Sequence, residues 1–175
     1  MQLAELQKGL CQMLKETYTP TLADADYFQR IYPSRELALV KEIAVWWRAL
    51  QILNYCPMTS RYLKMNFIFD DWIKAFYAKN NVSPFIEVAG VHFLNFLSKQ
   101  TDDKILRSLS AFEAALLQVK KGSDKQFVTL WHCQPNELMY RLLKDPQAEI
   151  EIWDTPQYQT VVSAQCTYLF EVFKI

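Results

Sequence analysis

Histidine and cysteine are the residues of this chain with the most versatile chemistry, and they are few. The two histidines are His92 and His132, and Cys133 directly follows the second. A thiol next to an imidazole has the composition of a nucleophile with its base. However, neighbours in a strand point to opposite faces and cannot share a proton, and His92 lies in an apolar helical segment where a packed histidine is expected. We therefore predict no catalytic residue.

Patterns for metal and phosphate binding are equally weak. Asp70-Asp71 and Asp102-Asp103 are typical of carboxylates that begin a helix. Three glycines are too few and too scattered for a phosphate-binding loop. The four cysteines are widely separated and include no C-x-x-C pair: Cys11, Cys56, Cys133 and Cys166. The expectation is a chain that binds no metal or cofactor itself and keeps its thiols reduced.

The charge balance argues against an electrostatic partner. Lysine plus arginine and aspartate plus glutamate both number 19, so the net charge is zero. Such a chain is steered neither to nucleic acid nor to acidic membranes. Charged residues interrupt every apolar run, and no targeting signal precedes the first amphipathic helix. We expect a cytoplasmic protein.

Apolar residues at helical spacing predict a helical domain over residues 1–122. The helices begin near residues 3, 24, 34, 60, 70, 84 and 103, with start signals at Ser34 and Ser83-Pro84. The second of these signals is especially strong. The helix after Ser34 carries a wide apolar stripe, which predicts that it is central: Leu39, Ile43, Trp46, Leu50 and Leu53. The last of the seven ends at Lys120-Lys121-Gly122, where glycine can adopt the left-handed conformation.

The pattern changes after Gly122, and residues 123–175 are predicted to form a small α/β domain. Residues 126–132, 149–154, 158–162 and 167–175 resemble strands, although residues 164–169 could instead form a helical turn. Pro135 begins a helix that ends at Leu143. The predicted fold class is therefore mainly α, an N-terminal helical bundle followed by a small α+β recognition domain with a short antiparallel sheet.

Short strands leave an edge whose free N–H and C=O groups can accept an extended peptide as an extra strand. This hypothesis requires one exposed edge. The alternative, that the same side chains pack on the helix from Pro135 to Leu143, fits the sequence equally well. The candidate wall for such a peptide consists of six residues: Ile150, Ile152, Trp153, Tyr158, Val161 and Val162.

Glu113 is an unusual acid because it lies between Phe112 and Ala114, close to the apolar stripe of its helix. Two placements are open. The carboxylate either reaches solvent from the flank of the stripe or is buried and hydrogen-bonded to another helix.

Several short motifs resemble a known family. They are Ser83-Pro84, then Gly90-Val91-His92-Phe93-Leu94-Asn95-Phe96-Leu97, and Leu109-Ser110-Ala111-Phe112-Glu113-Ala114-Ala115-Leu116. Together with Phe127-Val128-Thr129-Leu130-Trp131 and Ile150-Glu151-Ile152-Trp153-Asp154, they are similar to the methanobactin-type (MbnC-like) helical partner subunits of multinuclear iron oxidases that modify ribosomally made peptides. The likeness covers roughly residues 32–175.

The resemblance implies a non-catalytic subunit. It would pair with a TIM-barrel multinuclear iron oxidase and bind the leader segment of a precursor peptide. The partner would hold the iron and use O₂ to convert a cysteine of the precursor to an oxazolone with a neighbouring thioamide. Glu113 matches the family's helix acid, with a structural role implied.

Two other function classes remain open from the sequence. A helical DNA-binding or transcription-associated module is the first alternative, although the arginines are spread over several elements: Arg30, Arg35, Arg48, Arg61, Arg107 and Arg141. A stand-alone enzyme is the second, and it would require Glu113 and His92 to converge on one cleft.

Overall fold

The computed structural model describes residues 3–14, 17–21, 23–80, 82 and 85–175. The predicted fold class is confirmed: the described chain is mainly helical, with a small three-stranded antiparallel sheet near its C-terminus. The order is α1 (Leu3–Leu14), α2 (Asp26–Ile31), α3 (Arg35–Tyr55), α4 (Pro57–Met65), α5 (Phe69–Lys79), α6 (Ile86–Gln100), α7 (Lys104–Lys120), β1 (Phe127–Trp131), α8 (Pro135–Leu143), β2 (Tyr158–Val162) and β3 (Phe170–Lys174). Among the described helices, none combines the length and the apolar composition that crossing a membrane requires.

The chain divides into two compact units, residues 1–50 and 51–175, and α3 runs through the division. The boundary predicted at residues 122–123 lies inside the second unit. There α7 and the sheet share one core, in which Phe112 packs against Trp131 with ring centroids 5.5 Å apart. The turn at Gly122 has φ of 92°, the left-handed conformation expected for the residue that ends α7.

The first unit has a small core of its own. Met13 of α1, Phe28 of α2 and Leu37 of α3 are buried together. The predicted start signal of α3 is confirmed, because the N–H of Leu37 donates to the Ser34 hydroxyl at 3.1 Å. Ser83 and Pro84, the other predicted start signal, lie outside the described residues.

The prediction that α3 is a central, buried helix is wrong for the middle of the helix. Leu39, Ile43 and Trp46 are 54%, 53% and 60% exposed. Their spacing shows that they share a face, but burial also requires an element opposite that face, which periodicity does not reveal.

The second unit is built around α7. Ten of its residues are buried, and α6, α4, β1 and β2 all pack against it. Helix α4 begins at Pro57, three residues earlier than predicted, because proline suits the first helical position. The predicted strand at 149–154 is wrong, since this segment is irregular despite its alternating pattern.

Candidate functional site

The sheet positions the candidate peptide-binding site, and its strand order is β1-β2-β3 with β2 in the centre. Both pairings are antiparallel, with Thr160 of β2 opposite Thr129 on one side and Val172 on the other. The inner face packs on α7. There the indole N–H of Trp131 donates to the Thr160 hydroxyl at 3.0 Å, and Phe112 contacts Phe170 with ring centroids 5.2 Å apart. The sheet is therefore held on a rigid base.

Strand β3 forms one edge of the sheet, and its outer backbone groups are open. The C=O of Leu169 accepts from the Ser163 N–H at 3.0 Å, and the Ile175 N–H donates to the Gln157 C=O at 2.9 Å. Because backbone groups alternate along a strand, the odd-numbered residues face β2 and Val172 turns its N–H and C=O outward. Within the described part of the chain, no other element bonds to Val172. This is the exposed edge that the sequence hypothesis required.

Strand β1 forms the other edge, which is partly occupied. The Trp131 C=O accepts from the Gln157 N–H at 3.0 Å and so faces β2, which turns Leu130 outward. The outward C=O of Leu130 accepts a hydrogen bond from the Ser108 hydroxyl of α7 at 2.7 Å. An added strand would compete with this hydroxyl for the Leu130 C=O, so the two edges are not equivalent.

The outer face of the sheet is largely exposed and carries four apolar side chains beside Gln159 and Glu171. Val128 and Leu130 of β1 are 58% and 49% exposed, and Phe173 of β3 is 42% exposed. Half-buried Val161 of β2 lies opposite Val128 and completes the face. A peptide strand added beside β3 would therefore find backbone partners at the edge, with Phe173 and Glu171 as its nearest neighbours on the outer face.

The six predicted wall residues do not lie on one surface. Val161 is on the outer face, whereas Val162 is fully buried in the core on the inner face. Tyr158 also belongs to the inner face, and Ile150 packs against the core from the irregular segment. Ile152 in that segment is 58% exposed.

Trp153 fastens the irregular segment to the end of β1. Its N–H donates to the His132 C=O at 2.7 Å, and its C=O lies 3.0 Å from Nδ1 of the same histidine. A carbonyl only accepts, so Nδ1 is the donor in this contact. The indole also lies against Tyr158, with ring centroids 5.7 Å apart. The two hydrogen bonds between His132 and Trp153 thus attach the irregular segment to the end of β1.

Sequence reasoning missed Val172 and Phe173, which contribute to the open edge and the apolar face. The stretch 167–175 was predicted as strand, so the signal for β3 was present. Its position at the edge depends on the strand order, which local composition does not reveal.

Glu113 is buried at 2% exposure and is hydrogen-bonded to another helix, which resolves its two predicted placements. Oε1 accepts from the Met58 N–H and Oε2 from the Thr59 N–H, both at 2.9 Å. These amides belong to the first turn of α4. The side chain of Cys56, the N-cap residue, makes no capping hydrogen bond to this turn. The carboxylate on α7 therefore caps α4. Burial raises the pKa of Glu113, and the bonds from Thr59 and Met58 oppose the rise.

A second carboxylate links the same two helices. Asp103 caps α7 by accepting from the Ile105 and Leu106 amides at 2.8 and 3.1 Å. Its other oxygen accepts from the Tyr62 hydroxyl of α4 at 2.7 Å. Burial raises the pKa of Tyr62 above its ordinary range, and the bond to Asp103 adds to the rise.

His92 is exposed on α6, whereas Glu113 is enclosed, and no hydrogen bond joins the two. In the part of the chain that the structure describes, no three of the histidines, cysteines and acids lie close enough to hold a metal ion. The cysteines are free thiols, and Cys56 and Cys133 are buried.

Comparison of the chain with protein-family models, with curated proteins and with solved structures gave no match.

Proposed function

We propose that this chain is the accessory, non-catalytic subunit of a heteromeric iron-dependent oxidase. It recognises the leader of a ribosomally made precursor peptide and presents the peptide to the catalytic subunit. The observation that carries this proposal is the open edge of β3 beside an apolar sheet face.

An open strand edge suits the recognition of a leader peptide, because its hydrogen bonds go to the peptide backbone and do not depend on particular side chains. Outward N–H and C=O groups at Phe170, Val172 and Lys174 provide a ladder for an extended segment of any sequence. Selectivity would come from alternate side chains of the peptide, which meet Phe173 and Glu171 of β3 on the outer face. A sheet held on α7 through Trp131 and Phe112 keeps this ladder in place before the peptide arrives.

The chemistry belongs to the partner in this proposal. The resemblance of the motifs at 90–97 and 109–116 points to a TIM-barrel multinuclear iron oxidase in the cytoplasm, which holds the iron and forms a methanobactin-type oxazolone and thioamide from a cysteine of the precursor. The chain described here contributes binding and orientation of the peptide.

The first test is co-purification of the tagged chain with a candidate iron oxidase and a candidate short precursor peptide from neighbouring genes. The expected result is a stoichiometric complex with the oxidase that is tighter when the leader is present. A chain that binds neither the oxidase nor the leader would contradict the proposal.

The second test locates the peptide on β3. Val172→Pro removes the outward N–H and leaves the odd-numbered residues free to pair with β2, since proline is tolerated on an edge strand. Val172→Thr is the matched control because it keeps the β-branched shape and the N–H. Leader binding measured by calorimetry should be lost in the first variant and kept in the second, with both melting as folded proteins. Equal binding by the two variants would place the peptide elsewhere.

The DNA-binding alternative gains no support from a specific contact or charge. Helix α8, which would read the groove, has Glu137 in its first turn, and Nε of its Arg141 donates to the Pro146 C=O.

A further inference from the structure

The middle of α3 exposes a row of apolar side chains. Leu39, Val40, Ile43, Trp46 and Trp47, called here the α3 seam, are between 47% and 60% exposed. The two indoles contact each other, with ring centroids 6.0 Å apart and planes tilted by 35°. Two exposed tryptophans on one helix are unusual for a surface that faces only water.

The spacing within the seam is that of a helix-pairing surface. Leu39, Ile43, Trp46 and half-buried Leu50 follow one another at steps of four, three and four residues, the alternation that lines one side of a coiled-coil helix. Val40 and Trp47 flank this line on one side. Buried Leu37 points to the opposite side of α3 at about 100° per residue, so the core of the first unit and the seam use different faces.

We propose that the seam is covered by the seam of a second copy of this chain, with the two α3 helices antiparallel. A tryptophan can bury about 250 Å² and aliphatic side chains somewhat less, so the exposed fractions amount to about 550 Å² per copy. Two copies would bury about 1,100 Å² in total, which exceeds the roughly 1,000 Å² that a specific interface needs. An isologous pair of this kind is closed, and each copy contributes the same residues.

The antiparallel direction follows from size and charge. With the two-fold axis between residues 44 and 45, Ile43 of one copy meets Trp46 of the other, and Leu39 meets Leu50. A large side chain then lies opposite a smaller one in each central layer. A parallel pair would place Trp46 against Trp46 and Glu36 against Glu36, with bulky rings and like charges in the same layers.

Self-association goes beyond the proposed function and can be tested on the chain alone. Light scattering after size-exclusion chromatography should give a mass twice that of one chain, which is 20.6 kDa. Trp46→Glu should raise the dissociation constant of the dimer by roughly thirty-fold or more, because a central aromatic is replaced by a charge. Val45→Glu is the matched control: it adds the same charge to a 39% exposed neighbour that points away from the seam, and it should leave the dimer intact.

Cross-linking tests the direction independently of stability. In a background with Cys11→Ser and Cys166→Ser, a mixture of Ile43→Cys and Trp46→Cys chains treated with a mild thiol oxidant should form an intermolecular disulfide, whereas neither variant alone should. A wild-type monomer at all concentrations, or equal dissociation of the two glutamate variants, would overturn the proposal. A seam that binds only the oxidase or another part of the same chain would do so too, because the isolated chain would then remain monomeric.

Discussion

The carboxylate of Glu113 on α7 accepts the backbone N–H of Thr59 at 2.9 Å and so caps a helix to which it does not belong. The N–H of Met58 bonds to the other oxygen of the same side chain. Two amides that would otherwise lack partners at a buried helix start are thereby satisfied by one residue. Positioning of α4 thus depends on a residue more than fifty positions later in the chain.

Replacing Glu113 should destabilise the second unit. Glu113→Ala leaves both amides buried without an acceptor and should lower the free energy of unfolding by about 2–3 kcal/mol. Glu113→Gln keeps one acceptor oxygen and should lower the free energy of unfolding by a smaller amount. Urea unfolding followed by circular dichroism measures both variants, and an alanine variant as stable as wild type would contradict the capping role.

The same residue should make stability depend on pH. Because burial raises the pKa of Glu113 in the folded protein, the folded state holds this proton more tightly than the unfolded chain does. Its contribution is therefore fully present below the unfolded pKa of about 4.3 and decreases as the pH rises through and above that value. The difference in melting temperature between wild type and Glu113→Gln, measured across this pH range, should show the same decline. A difference that is flat from pH 4 upward, or that grows, would contradict the direction of the shift.

Tyr62→Phe removes the hydroxyl that joins α4 to Asp103 without changing the packing of the ring. The loss of a hydrogen bond to a carboxylate at 2.7 Å should cost about 1.5–3 kcal/mol. Tyr140→Phe on α8 is the control, since this ring is 57% exposed and should be neutral. The midpoint of denaturant unfolding measures this loss in each variant. Equal midpoints for Tyr62→Phe and Tyr140→Phe would show that the bond contributes little to stability.

Phe67 has an unfavourable backbone conformation, and its side chain gains little in return. It follows α4 with φ of 58° and its side chain is 94% exposed. Its N–H donates to the Lys64 C=O, and the Ile68 N–H donates to the Leu63 C=O, the pattern of a helix end that usually has glycine at this position. Phe67→Gly should stabilise the protein by about 0.5–1 kcal/mol, while Phe67→Ala, which retains the conformational penalty, should not. Thermal melts that rank alanine above glycine would refute this account.

The thiols should differ widely in reactivity. Burial raises the pKa of Cys133 to about 12 and that of Cys56 still higher, so neither forms a thiolate near neutral pH. Cys11 is exposed. Titration with a disulfide reagent at pH 8 should label Cys11 first, and Cys56 and Cys133 only on unfolding. Fast labelling of Cys56 in the native protein would contradict the packing at the start of α4.

Elements with strong local signals were predictable from the sequence, and elements defined by distant partners were not. Pro135 at the first helical position and the following period predicted α8 with the bounds that the structure shows. Residues 149–154 alternate like a strand, but a strand also needs a neighbour, and only Trp153 finds a backbone partner near the sheet. Both oxygens of Glu113 bond to amides of α4, which no pattern in α7 could indicate.

The candidate site shows the same division. Strand composition predicted the sheet and an open edge, yet the six proposed residues lie in three places. Val161 is on the exposed face, Tyr158 and Val162 are on the inner face, and the other three are in an irregular segment. Alternation assigns side chains to two faces but does not say which face is covered. That depends on α7, which approaches the sheet from one side only.

The hydrogen bond from the Ser108 hydroxyl to the Leu130 C=O has a consequence for solubility. If both edges were equally open, β3 of one molecule could add to β1 of the next, and such head-to-tail pairing repeats without end and produces fibres. Because the Ser108 hydroxyl donates to the outward C=O of Leu130, this pairing would compete with a 2.7 Å hydrogen bond. A single hydroxyl under β1 thus makes head-to-tail pairing of the sheet edges less favourable.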